Sequence, residues 1–86
     1  MSKGLYIEII NFLKPEEAVI VEIQSNESWF AMEYKGVKFV MHISGDKSLV
    51  KLRKYSDFHY PRINLPLADP DCRMAAIRYM DEVVNE

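Results

Sequence analysis

Three residues of this chain have side chains suited to nucleophilic or metal chemistry: Cys72, His59 and His42. A thiol in the first turn of a helix gains from the positive end of the helix dipole, which favours the thiolate. An imidazole such as His59 beside it would complete a nucleophile–base pair. Here Asp69 and Asp71 surround the thiol with negative charge, which opposes a thiolate, and no glycines stand next to Cys72 to open an oxyanion hole. The reading that follows is a small buried cysteine packing beneath a helix. His42, His59 and Cys72, even with Asp57, show none of the paired spacings by which a zinc site is recognised. Gly4, Gly36 and Gly45 are scattered and form no phosphate-cradling loop. The acidic pairs Glu16–Glu17 and Asp81–Glu82 sit in polar contexts that read as solvated surface. The chain is therefore expected to be no enzyme and to need neither metal nor cofactor.

Binding is better supported. The segment from Lys47 to Arg62 concentrates cations and rings: Lys47, Lys51, Arg53, Lys54, Tyr55, Phe58, His59, Tyr60 and Arg62. Aromatic residues and arginine dominate the energetics of protein interfaces. Pro61 and Pro66 stiffen the chain around them, which reduces the entropy lost on binding. These nine residues are the expected partner-binding set. The expected function is that of a small protein-binding regulator or inhibitor, of the kind found among accessory proteins of prokaryotes and their phages. The alternative is an RNA- or DNA-binding module using the same segment, with Tyr55, Phe58, His59 or Tyr60 stacking on bases.

Charge is distributed in blocks. The chain carries a net −2, made up of −4 over residues 1–34, +5 over residues 35–62 and −3 over residues 63–86. A basic middle between acidic ends suits an acidic partner, and it equally suits neutralisation by the protein's own termini or by those of a second copy. Cys72 is the only cysteine, so no disulfide forms within the chain, and a reducing compartment is expected. Glu8 and Asn11 interrupt the first apolar run, which lacks the features of a signal peptide. No run approaches the length of a membrane span. A cytoplasmic protein without a membrane partner is the expectation.

The elements that position these residues fit one small domain over residues 1–86. Leu5, Ile9, Phe12 and Leu13 recur at helical spacing, with Tyr6, Ile7 and Ile10 widening the apolar face. Ser2 is the expected cap, and Pro15 ends a helix over residues 3–14. Three runs of alternating pattern follow. "AVIVEIQ" sets Val19, Val21 and Ile23 against Ile20 and Glu22. "WFAMEY" sets Phe30, Met32 and Tyr34 against Trp29, Ala31 and Glu33. "VKFVMHI" sets Val37, Phe39, Met41 and Ile43 against Lys38, Val40 and His42. Gly36 suits the tight turn between the last two. An antiparallel meander with one face under helices and the other half-exposed satisfies this pattern. A homodimer through that open face, with Trp29 and Val40 in contact, is a further expectation.

"SGDKSLVKLRKY" reads as a short helix over residues 47–54, with Asp46 as cap and Lys47, Lys51 and Lys54 along one side. "INLPL" then alternates Ile63, Leu65 and Leu67 as an extended strap with one buried face, long enough to add an edge strand. "DPDCRMAAIRYMDEVV" reads as a final helix, with Asp69 as cap, Pro70 at its first position and Ala76, Ile77, Met80, Val83 and Val84 facing inward. The expected fold is thus α+β: a three-stranded antiparallel meander packed against N-terminal and C-terminal helices, in the order α-β-β-β-α-loop-α. Helix–three strands–helix resembles, in topology alone, the double-stranded RNA-binding domain, and "CRMAAIRYMDEVV" is similar to its alanine-bearing last helix. Asp69, Pro70 and Asp71 stand where that family presents lysines to phosphates, and the insertion from residue 47 to 68 interrupts its step from sheet to helix. No site is carried over.

Overall fold

The protein is described by a computed structural model over residues 2–24, 28–56 and 61–86, with residues 2–5 described by backbone alone. It is an α+β fold of two helices and one five-stranded antiparallel sheet. The elements are α1 (Ser2–Leu13), β1 (Val19–Gln24), β2 (Trp29–Tyr34), β3 (Val37–Ile43), β4 (Leu49–Lys54), β5 (Ile63–Pro66) and α2 (Cys72–Val84). The strands lie side by side in chain order, each antiparallel to the next. Asp57, Phe58, His59 and Tyr60 lie outside the described residues.

The largest departure from the sequence reading is β4. Residues 49–54 are a strand and not a helix. The same residues satisfy both periods, because Val50 and Leu52 alternate with Lys51 and Arg53. A helix of eight residues is marginal in water by itself. As a strand the segment gains backbone partners on both sides, β3 and β5. Asp46 accordingly caps no helix and instead closes the β3–β4 hairpin. Its Oδ1 accepts from Ser44 Oγ at 2.8 Å, Ser48 Oγ at 2.7 Å and Ser48 N–H at 3.1 Å. Lys47 takes a positive φ of 62° in that turn. The extended strap at residues 63–66 is the fifth strand, at the sheet edge, with Leu65 buried and Ile63 half-buried. Two added strands also separate this topology from the RNA-binding domain it resembles in element order.

The hydrogen bonds from Ser48 and Ser44 hold the Asp46 carboxyl down to about 2, below its ordinary 3.8. A depressed carboxylate stabilises the fold fully above the unfolded-state value and loses that contribution as pH falls through the folded one. Asp46→Ala is therefore expected to lower the thermal midpoint at neutral pH. The gap from the parent should close between about pH 4 and pH 2, as read by circular-dichroism melts across that range. A gap that stays constant over the range would show that the hairpin does not depend on this carboxylate.

Both helices cover one face of the sheet. Phe30, Met32, Tyr34, Phe39, Met41, Ile43, Val50, Leu52 and Leu65 supply the strand side of the core, and Ile10, Leu13, Cys72, Ala76, Tyr79, Met80 and Val83 the helix side. The faces expected for β2 and β3 are those observed. On β1 the alternation breaks, because a bulge between Ile20 and Glu22 shifts the register. Val19 and Glu22 pair with Glu33 and Ala31 on the open side, while Ile20 and Ile23 pair with Met32 and Phe30 on the helix side. In α1 the buried stripe is Ile10 and Leu13 with Tyr6, Ile7 and Ile9 packed beside it, and Phe12 is exposed, contrary to its expected inward position. Lys14 Nζ donates to the Ala18 carbonyl at 2.7 Å, tying the helix end to the start of β1.

Helix α2 begins at Cys72, later than expected. Asp69 holds the preceding turn, its Oδ1 accepting from Asp71 N–H at 2.8 Å, and Pro70 belongs to that turn. Cys72 is buried in the core. Tyr79 joins the inward face of α2 and packs edge-on against Phe39, and its hydroxyl donates to the Pro61 carbonyl at 2.6 Å. The Tyr34 hydroxyl donates to Asp81 Oδ1 at 2.5 Å, linking the end of β2 to α2. Lys35 and Gly36 both take positive φ, 51° and 83°, in the two-residue β2–β3 turn, as the right-handed twist of a hairpin demands.

Candidate functional site

The face of the sheet opposite the helices carries the site. Antiparallel pairing sets its residues in rows. One row runs Gln24, Trp29, His42, Lys51, Asn64, and the next runs Glu22, Ala31, Val40, Arg53. The Leu52–Ile63 pair places Arg62 one step further, beside Arg53. A pocket of about 230 Å³ opens between these rows, lined by Trp29, Val40, His42, Lys51, Arg53 and Arg62. Val40 and Ala31 are almost fully buried, at 2% and 0% exposure, yet lie outside the main core cluster. They form a small apolar floor beneath the longer side chains of the open face.

The walls of the pocket are ordered by contacts. The Trp29 and Tyr55 rings meet edge-to-face, with centroids 6.1 Å apart. Lys38 Nζ lies 5.3 Å above the Tyr55 ring. Tyr55 N–H donates to the Lys38 carbonyl at 2.9 Å, continuing the β3–β4 pairing past the end of β4. Arg53 Nη1 donates to the carbonyls of Lys54 and Tyr55, both at 3.1 Å, which fixes the plane of its guanidinium. Three cations and one imidazole thus stand beside an indole and a valine, and among the described residues no carboxylate lines the pocket. Such a surface binds anionic or hydrogen-bond-accepting groups next to an apolar or aromatic contact.

Of the nine residues singled out in the sequence, the structure brings four to this face: Lys51, Arg53, Tyr55 and Arg62. Lys47 turns away, and its Nζ sits 5.3 Å over the ring of Tyr6 on α1. Lys54 pairs with Phe39 and so belongs to the helix-side row. Both were joined to the set by helical spacing; on the strand Lys54 falls on the face opposite Lys51 and Arg53, and Lys47 lies in the turn before β4 begins. Phe58, His59 and Tyr60 lie outside the described residues. Sequence reasoning left Trp29, Val40 and His42 out of the binding set although it had assigned them to the open face. The missing signal was the strand register that puts them next to Lys51 and Arg53.

A larger cleft of about 860 Å³ runs along α2 beside Pro61 and Ile63. Among the described residues its rim carries Asp81, Glu82 and Glu86 against Arg78, and none of the cations of the open face. Among the described residues no group of three His, Cys, Asp or Glu side chains is placed to hold a metal ion. No helix among them is long and apolar enough to cross a membrane. No protein-family model, curated protein or solved structure matches this chain.

Proposed function

We propose that this chain is a small non-catalytic binding protein, a regulator or inhibitor, that docks an acidic surface of another protein on its open sheet face. One observation carries the reading: the pocket in which Trp29, Val40, His42, Lys51, Arg53 and Arg62 converge from four neighbouring segments. Tryptophan, tyrosine and arginine around a desolvated centre are the composition of an interface hot spot. The groups stand on or beside strands, whose rigidity spares much of the entropy of ordering them. Cationic residues on this face oppose a two-fold contact through it, since like charges would meet across the axis. An acidic partner fits better than a second copy.

Nucleic acid is the second reading, supported by rings and cations on one sheet face. Two features weigh against it. Tyr55 already carries Lys38 over its ring and meets Trp29 edge-to-face, which leaves it a poor platform for a base. Glu22 and Glu33 belong to the same face and repel a string of phosphates. The test is capture by the tagged full chain from its host, with and without nuclease, using the parent, Lys51→Ala and Glu82→Lys. A protein that survives nuclease, disappears with Lys51→Ala and persists with Glu82→Lys supports the reading. Loss of the partner on nuclease treatment, with retardation of oligonucleotides at low salt, would replace it with the nucleic-acid reading.

A further inference from the structure

We infer that the outer edge of β1 is a pairing surface for β1 of a second copy of this chain. The inference is independent of the docking reading above, because the contact lies at the sheet edge and leaves the open face uncovered. The sheet has two edges, β1 and β5. Strand β5 is four residues long and ends in Pro66, which has no N–H to offer a further strand. Strand β1, "VIVEIQ", is six residues long, with no proline, no lysine and one charge, Glu22. It also carries three of the five large hydrophobic residues exposed among the described residues, Val19, Val21 and Ile23, at 61%, 49% and 48%. Unpaired backbone beside exposed β-branched side chains is a template for another strand.

The bulge decides which strand fits. Ile43 N–H donates to the Ser28 carbonyl at 2.8 Å, one step beyond the Trp29–His42 pair. Antiparallel bonding alternates along a strand, so Phe30, Met32 and Tyr34 bond towards β3, and Trp29, Ala31 and Glu33 towards β1. Their partners Gln24, Glu22 and Val19 bond inward, and Ile20 and Ile23 turn their backbone N–H and C=O to the outer edge. A regular strand offers such groups at every second residue. On β1 the bulge sets Ile20 and Ile23 three residues apart. A second copy, run antiparallel, offers the same spacing: Ile20 meets Ile23 of the second copy, and Ile23 meets its Ile20. Both residues lie on the helix side, and Val19 meets Gln24 on the open side, so the faces agree as well. The result is one sheet with five strands from each copy and both open faces on the same side. Two such strands bury less than the about 800 Å² per partner of a standard interface, so the dimer is weak, with a Kd on the order of 100 µM. Glu22 stands beside the two-fold axis, where its like-charged copy weakens the pairing further.

Sedimentation velocity of the full chain reads its mass, and amide hydrogen exchange followed by NMR reads the edge. The expected result is a dimer fraction that rises between about 10 µM and about 1 mM. The Ile20 and Ile23 amides should exchange about threefold more slowly at about 1 mM than at about 50 µM, in proportion to the remaining monomer. Val19→Lys and Ile23→Lys place a lysine on the edge, the device by which natural edge strands avoid pairing, and each should weaken dimerisation by about tenfold or more. Both side chains are exposed, and thermal melts check that the variants stay folded. Glu22→Gln should tighten the dimer by about twofold or more. Phe12→Lys, at an exposed position of α1, is the control and should leave association unchanged. A chain that stays monomeric at about 1 mM overturns the inference. So does a dimer that both lysine variants retain, or one that Glu22→Gln weakens. A dimer whose concentration-dependent shifts fall on the Trp29 indole and Val40, with the Ile20 and Ile23 amides unprotected, lies on the open face and overturns it too.

Discussion

Arg62→Ala, and more strongly Arg62→Ala combined with Trp29→Ala, should sharply weaken partner binding while the protein stays folded. Arg62 is exposed at the pocket rim, immediately before β5. Its removal takes a cation from the pocket and leaves the partner's anion facing Lys51 and Arg53 alone. Trp29 contributes an apolar wall and an edge contact to Tyr55, and deleting it empties one side of the pocket. Residues of this type at the centre of an interface cost roughly 2 kcal/mol or more when truncated. That corresponds to a loss of about thirtyfold for each, and more for the pair. Isothermal titration or surface plasmon resonance against the captured partner reads the change. Glu82→Ala, on the exposed side of α2, is the control and should leave affinity unchanged. An Arg62→Ala affinity within about twofold of the parent, far below the expected loss, would remove the pocket from the interface.

Val50→Asp should unfold the protein, whereas Leu49→Asp should leave a cooperative, less stable fold. Val50 is fully buried and lies between Ile43 on β3 and Leu65 on β5. A carboxylate there has no partner and no water. Burying it unpaired costs several kcal/mol. A domain of this size is stabilised by only about 4–13 kcal/mol, at roughly 0.05–0.15 kcal/mol per residue. Leu49 is half-buried opposite Pro66 at the end of the same strand, where an aspartate keeps access to solvent. A helix over residues 47–54 would give the reverse order, because helical spacing turns Leu49 and Leu52 inward together. Thermal melts followed by circular dichroism distinguish the two. A cooperative transition in Val50→Asp with none in Leu49→Asp would contradict β4 and, with it, the geometry of the pocket.

The two elements read most faithfully from sequence are β2 and β3, where period two, aromatic and β-branched content and a Lys35–Gly36 turn all agree. Local signals sufficed there because each residue's face follows from its neighbours. For β4 they conflicted. Leu49 and Leu52 fit a helix, Val50 and Leu52 fit a strand, and the choice was made by β3 and β5, whose pairing is not local. On β1 the expected grouping of Val19 with Ile23 and of Ile20 with Glu22 does not hold, because the bulge at Ile20–Glu22 sets Ile23 with Ile20 and Glu22 with Val19, and a bulge has no signature in "AVIVEIQ". The extended strap was legible from Ile63, Leu65 and Leu67, and the structure places it at the edge of the sheet.

The site followed the same division. Composition singled out Lys51, Arg53, Tyr55 and Arg62, and they are on one face. Lys47 and Lys54 were grouped with them by helical spacing; the offset of three from Lys51 puts Lys54 on the other face of a strand, and Lys47 falls in the turn before β4. Trp29 and His42 are 22 and 9 residues before Lys51 in the chain, yet the register sets all three in one row. Distance along the chain concealed the pocket that the pairing makes.

The most direct test of the open face as the binding surface is amide and indole chemical-shift mapping of the full chain with its captured partner. The account predicts that the largest changes fall on the Trp29 indole and on the backbone of Val40, His42, Lys51 and Arg53, with α2 little altered. Changes confined to α2 and the cleft beside Pro61 and Ile63, with the Trp29 indole unmoved, would contradict it.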